Sequence, residues 1–216
     1  MIIAIDGPAG SGKGTIARML AEKFNLEYLD TGKLYRAVAL QSLISLGYSE
    51  IDNSLQVSPE ILKDEAVKIS KNLDSSFIKS PIIETEIVGN FASIVSENLE
   101  VRRNLIDFQR RIANSPKGAV LDGRDIGTII CPNADYKFFI TASLETRAKR
   151  RFEQLKSNPN ITYNQVYDDI KRRDERDKAR VSAPLKQAKD AETIDTSELS
   201  IQDVFNKISN QISSKN

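Results

Sequence analysis

The chain contains no histidine and a single cysteine, Cys131, among its 216 residues. The first absence excludes His-based triads, imidazole general bases and His-containing metal sites. The second excludes an internal disulfide framework and a Cys-rich zinc cluster, and it fits a reducing compartment. Excess charge is missing too, since 31 Lys+Arg against 30 Asp+Glu leave a formal net charge of +1. With no bulk attraction to nucleic acid or membrane, any basic site must be a local cluster. No apolar run approaches the roughly 20 residues of a membrane span. The start, Met1-Ile2-Ile3-Ala4-Ile5-Asp6, has neither the basic region nor the apolar length of a signal peptide. A soluble cytoplasmic protein is expected. The remaining balance, 40% hydrophobic and 28% charged, is that of a globular chain long enough for one domain with insertions.

Short apolar runs alternate with amphipathic stretches. Ile2 to Ile5, Glu27 to Leu29, Ala119 to Leu121, Lys137 to Thr141 and Thr193 to Asp195 read as buried strands. Helices are expected from about Lys13 to Phe24, Lys33 to Leu46, Pro59 to Asn72, Asn90 to Ile112, Glu145 to Leu155, Tyr163 to Arg180 and Ile201 to Ile212. Ser75 to Thr85 reads as a short hairpin broken by Pro81, and Ser213 to Asn216 as a polar tail. This alternation indicates an α/β fold, a parallel sheet covered on both faces.

Gly7-Pro8-Ala9-Gly10-Ser11-Gly12-Lys13 carries the glycine spacing and lysine of a Walker A loop, followed by Gly14 and Thr15. It follows a predicted strand and opens a helix, as its mechanism requires. Its backbone N–H groups can form an anion nest, the helix N-terminus adds positive charge, and Lys13 reaches the β- and γ-phosphates. Glycine at position 14 replaces the usual Ser/Thr, so Thr15, displaced by one, is a candidate for either magnesium or phosphate. The loop resembles that of the nucleoside monophosphate kinases, with their Gly-Lys-Gly-Thr ending. A nucleotide-hydrolysing switch would instead require a guanine-reading Asn-Lys-x-Asp segment, and none occurs.

A phosphotransferase needs a second anionic site. Thr31 is placed to cap the helix after Asp30, with Arg36 one turn in, where a guanidinium fork can grip phosphate. Asp122 ends a predicted strand, the position from which Walker B-like carboxylates organise Mg²⁺. Arg124 and Asp125 then project at the carboxyl edge of the sheet, where open α/β folds bind ligands. Arg173, Arg176, Asp177 and Arg180 fall within an arc of roughly 100° on one helix, a face that suits an anion. Glu145 to Arg151 is another basic run, open between a solvent-facing helix and an adenine-stacking role for Arg147.

Taken in order, these segments resemble the cytidylate kinases over nearly the full chain: Gly-Pro-x-Gly-x-Gly-Lys-Gly-Thr, Asp-Thr-Gly-x-x-Tyr-Arg, Asp-Gly-Arg-Asp-x-Gly-Thr, Arg-Arg-Asp-x-Arg-Asp-x-x-Arg and Ala-Pro-Leu. The resemblance implies a P-loop nucleoside monophosphate kinase fold with a five-stranded parallel sheet flanked by helices. It implies a single domain over 1–216, with core segments 1–55, 91–157 and 185–216, a short acceptor-binding insertion at about 56–90 and a helical lid at about 158–184. Arg36 and Arg124 would hold the acceptor phosphate and Asp125 the cytosine amine, with Ser93 and Arg102 completing the base pocket and Thr31 a further substrate-binding residue. Arg173 and Asp177 would touch the acceptor ribose and phosphate, and Arg176 and Arg180 the transferring group. The implied reaction is ATP-dependent phosphorylation of CMP or dCMP with Mg²⁺, by a monomer with no nucleic-acid or membrane partner. A kinase for UMP or AMP, and a non-catalytic ATP-binding module, stay open as alternatives.

Overall fold

The protein is described from a computed structural model covering residues 1–52, 54–156 and 161–214. The expected opening of the lid at about 158 and the end of the polar tail at 215–216 lie outside the described residues. Five strands, β1 (Ile2–Asp6), β2 (Glu27–Asp30), β3 (Ala119–Gly123), β4 (Tyr136–Thr141) and β5 (Glu192–Asp195), form one sheet in the order β2-β3-β1-β4-β5. β1 pairs in parallel with β3 and β4, and β4 in parallel with β5. The register sets Ile5 opposite Asp122 and Asp6 opposite Gly123. The carboxyl ends of β1 and β3 therefore emerge side by side, which puts the phosphate loop next to Asp122.

Two compact units divide the chain: Met1–Leu29 with Arg110–Asn216, and Asp30–Gln109. In the first, the central strands are apolar because helices cover both faces. Ile3, Ile5, Val120, Phe138 and Ile140 pack with Ile16 and Leu20 of α1 (Lys13–Lys23) and with Val204, Ile208 and Ile212 of α8 (Ile201–Ser213). Each such side chain contributes roughly 1.5–3 kcal/mol by leaving water. A separate cluster joins Ala148 of α6 (Leu144–Leu155) to Val166 and Ile170 of α7 (Tyr163–Ala179).

The second unit holds α2 (Thr31–Ser45), α3 (Pro59–Lys71), α4 (Glu86–Val95) and most of α5 (Leu99–Ala113). Leu40, Ile83 and Val88 form its core cluster, with Ile51, Phe77 and Ile87 packed against them. Four expectations are corrected. The hairpin at 75–85 is two 3₁₀ turns, Ser75–Lys79 and Pro81–Glu84, since Pro81 lacks the N–H a ladder needs and starts a helical turn instead. The helix expected over 90–112 is two: Ser96 to Asn98 interrupt it, and the Asn98 carboxamide oxygen accepts from the Glu100 and Val101 N–H groups to start the second. The cap of α2 is Asp30, whose carboxylate accepts from Lys33 N at 3.3 Å, and Thr31 is its first helical residue. Finally, α7 stops at Ala179, one residue short of the expected Arg180, because Arg180 turns to extended backbone and its guanidinium pairs with Asp177.

Candidate active site

The phosphate loop joins β1 to α1. Gly12, the residue capping α1, sits at φ +86°, the left-handed region that favours glycine, and no side chain among the described residues makes a capping hydrogen bond there. Lys13 is buried, and its Nζ folds back to donate to the Pro8 carbonyl at 3.2 Å. The Ser11 hydroxyl is 1% exposed and has no hydrogen-bond partner among the described residues. A buried hydroxyl left in that state is costly, and a bound phosphate oxygen would satisfy it. Tyr28, which sequence reasoning missed, donates through its OH to Asp122 Oδ1 at 3.0 Å. The second Asp122 oxygen lies 3.5 Å from where a Cβ on Gly14 would stand, so this carboxylate borders the loop. Thr15 is half-buried on the first turn of α1. The described residues hold no cluster of three metal-ligating side chains. One carboxylate and one hydroxyl beside a phosphate nest nevertheless suit Mg²⁺, which binds through one or two protein oxygens, substrate phosphates and water.

Three predicted site residues come together on the same unit. Arg124 Nε pairs with Asp177 Oδ2 at 2.8 Å, and Arg180 pairs with the other Asp177 oxygen. Asp177 is thus the shared counter-ion of two arginines 56 positions apart in the chain. Burial alone would raise its pKa, but Arg124, Arg180 and Arg173 hold it below the usual carboxylate range. The repulsion among arginines on α7 is thus relieved by a carboxylate on the helix itself. Arg173 and Arg176 are half-buried on the same helix.

Asp125 is buried at the start of a π-helical turn, Ile126–Ile130. Asp6, at the end of β1, fixes that turn by accepting from Ile126 N and Gly127 N, both at 2.8 Å. Burial pushes the Asp6 carboxyl up to about 6, against the lowering effect of those two N–H groups. Because the folded chain holds this proton more tightly than the unfolded one, with its ordinary value of 3.8, the contribution of Asp6 to stability falls as pH rises from 3.8 to about 6. Asp177 works in the opposite sense, its contribution being lost as pH falls through the acid range. Carboxyl ¹³C NMR should place the Asp6 midpoint near 6 while Asp177 stays ionised. An Asp6 midpoint at or below 4 would contradict this environment.

Thr31, Arg36, Ser93 and Arg102 all belong to the unit Asp30–Gln109. Arg36 donates through one terminal nitrogen to the Ile83 and Thr85 carbonyls, the second at 2.9 Å. Its guanidinium lies so close to Gly89 that a Cβ there would stand 2.7 Å from it. Ser93 is 7% exposed, and its hydroxyl has no partner among the described residues. Arg102 donates to the Ser96 carbonyl at 3.2 Å and lies over the Tyr35 ring, 5.4 Å from its centroid. Tyr35 escaped the sequence reading as a site residue although it stands in the Asp-Thr-Gly-x-x-Tyr-Arg motif.

Of the two alternatives left open for Glu145 to Arg151, the solvent-facing helix does not describe Arg147, which is 5% exposed. Its guanidinium donates to the Ala142 carbonyl at 2.9 Å and the Ala9 carbonyl at 3.0 Å, and pairs with Asp174 at 2.7 Å.

Comparison with known proteins agrees with this geometry. Residues 3–214 match the family model described as cytidylate kinase. A cytidylate kinase of Rhodopseudomonas palustris is 47% identical over 203 residues, 94% of this chain and 91% of that one. One from Xanthobacter autotrophicus is 47% identical over 208 residues, 95% and 93% of the two chains. Among solved structures, an uncharacterized protein from Eubacterium ventriosum superposes with a TM-score of 0.55 over 99% of both chains. At 17% identity, that likeness bears on the fold alone.

Proposed function

The chain belongs to the cytidylate kinase family, and we propose that it transfers the γ-phosphoryl group of ATP to CMP or dCMP, giving ADP and CDP or dCDP. The observation that carries the acceptor side is the buried Ser93 hydroxyl, without a partner among the described residues, on the same unit as the Arg102–Tyr35 stack. Cytosine presents an N4 amine donor and N3 and O2 acceptors, which suit the Asp125 carboxylate and the Ser93 and Arg102 donors. Uracil carries a carbonyl at position 4 and would face Asp125 acceptor to acceptor.

On the donor side, Gly7 to Thr15 cradle the ATP phosphates and Lys13 leaves the Pro8 carbonyl for the β- and γ-oxygens. Arg36 and Arg124 grip the acceptor phosphate, Arg173 and Asp177 reach the acceptor, and Arg176 and Arg180 face the transferring group. No general base is required, because a loose phosphoryl transition state needs alignment and charge neutralisation. Asp122 and Thr15 are the residues to hold Mg²⁺, which when bound neutralises charge on the phosphate oxygens. The same reading makes the protein a cytoplasmic monomer of pyrimidine nucleotide metabolism, with short segment 56–90 on the acceptor side and α7 as its lid.

ADP release measured by a coupled assay across CMP, dCMP, UMP and AMP tests this reading. Turnover is expected with CMP and dCMP at a kcat/KM at least about tenfold above UMP, the worth of one charge-assisted hydrogen bond. A preference for AMP, or no acceptor-dependent ADP, would contradict it.

A further inference from the structure

The buried face of α7 changes character along its length. Val166 and Ile170 are apolar and pack on α6, but Asp174 and Asp177 continue the same stripe one and two turns further on. Each carboxylate meets an arginine from another element: Asp177 meets the half-buried Arg124 after β3, and Asp174 meets the buried Arg147 on α6. The second Asp174 oxygen is buried with no hydrogen-bond partner, so Arg147 is the group that makes its burial tolerable.

Arg147 has a second attachment. Its guanidinium also holds the Ala9 carbonyl of the phosphate loop, and its Cβ and carbonyl lie 3.2 Å from where a Cβ on Gly10 would stand. The first turn of α6 is therefore pressed against the loop backbone. A planar fork can serve both partners in one geometry, which the single ammonium of lysine cannot.

We propose that Arg147 is a positioning residue that couples the phosphate loop to the lid helix. By fixing Ala9 on one side and Asp174 on the other, it sets the curvature of the loop and the placement of Arg173, Arg176 and Arg180 together. ATP bound in the loop thereby meets arginines already in register. This rests on the donor-site reading above and adds a residue that acts through the Ala9 carbonyl and Asp174.

The test separates positioning from mere stability. In Arg147→Met/Asp174→Leu the apolar stripe is extended, and buried ion pairs replaced in this way often keep or gain stability. The double variant should melt within about 5 °C of wild type, yet lose about 10- to 100-fold in kcat, the scale of a misplacement near 1 Å. Wild-type kcat in that stable protein would overturn the proposal. Asp174→Asn, which keeps the side-chain shape, provides an independent measurement. It should lower kcat at least about fivefold while KM for ATP stays within about twofold, whereas both constants at wild-type values would overturn the coupling. A third measurement needs no acceptor. Titration calorimetry with a non-hydrolysable ATP analogue should show Arg147→Met weakened about tenfold and Arg147→Lys in between, and unchanged affinity in both would refute the hold on the loop. If wild type binds the analogue but phosphorylates neither CMP nor dCMP, the acceptor reading fails while this last comparison still decides the role of Arg147.

Discussion

Lys13→Ala should reduce kcat/KM for phosphoryl transfer by about 10²- to 10³-fold or more, the usual effect of removing one preorganised charge donor from a transition state. On the proposed reading the lysine is the cation that the glycine loop brings to the β- and γ-phosphates. Stability should respond far less. The side chain lies outside the apolar cluster of its unit and its amine folds onto the Pro8 carbonyl. A melting temperature within about 5 °C of wild type is therefore expected. Steady-state kinetics and calorimetric melting on the same preparation check both halves, and a variant that phosphorylates CMP at the wild-type rate would show that the loop does not hold the donor.

Asp125→Ala should change selectivity rather than fold. The turn after β3 is held by the Asp6 carboxylate and by the main-chain carbonyl of Asp125, which accepts from Ile129 N and Ile130 N at 2.9 and 3.2 Å. None of those bonds uses the Asp125 side chain, so alanine leaves them in place. What disappears is the proposed acceptor for the cytosine amine. A charge-assisted hydrogen bond is worth roughly 1.5–3 kcal/mol, so the preference for CMP over UMP should shrink by about 10- to 150-fold in kcat/KM. Arg36→Ala supplies the contrast, since a phosphate contact common to both acceptors weakens both together. Equal losses for CMP and UMP in Asp125→Ala would move base selectivity to Ser93 and Arg102.

The donor side was legible because its signal is local. A strand, a glycine loop and a helix are contiguous in sequence, and the parallel register that sets Ile5 opposite Asp122 follows from buried runs on both strands. Arg124, Asp177 and Arg180 could be named from sequence but not paired, since Asp122 and Asp125 were nearer in the chain and equally acidic. Arg147 was illegible for a different reason. Two of its three partners are carbonyls, of Ala9 and Ala142, and main-chain acceptors leave no trace in residue identity. Helical spacing shows that residues share a face without showing whether that face is packed. Asp6 was hidden likewise, because the amides it holds belong to Ile126 and Gly127. In the second unit, Pro81 was correctly read as a break, but a proline that interrupts a ladder also opens a 3₁₀ turn, and burial of Ile83 favours the turn here.

The central claim is that the γ-phosphoryl group passes from ATP to a cytidine monophosphate. Following ³¹P NMR, or γ-labelled ATP, through a single incubation with CMP and Mg²⁺ tests it most directly. The label should appear in the β-position of CDP, in step with ADP, with no build-up of inorganic phosphate. Label recovered as inorganic phosphate, or CMP left unphosphorylated while ATP is bound, would contradict it.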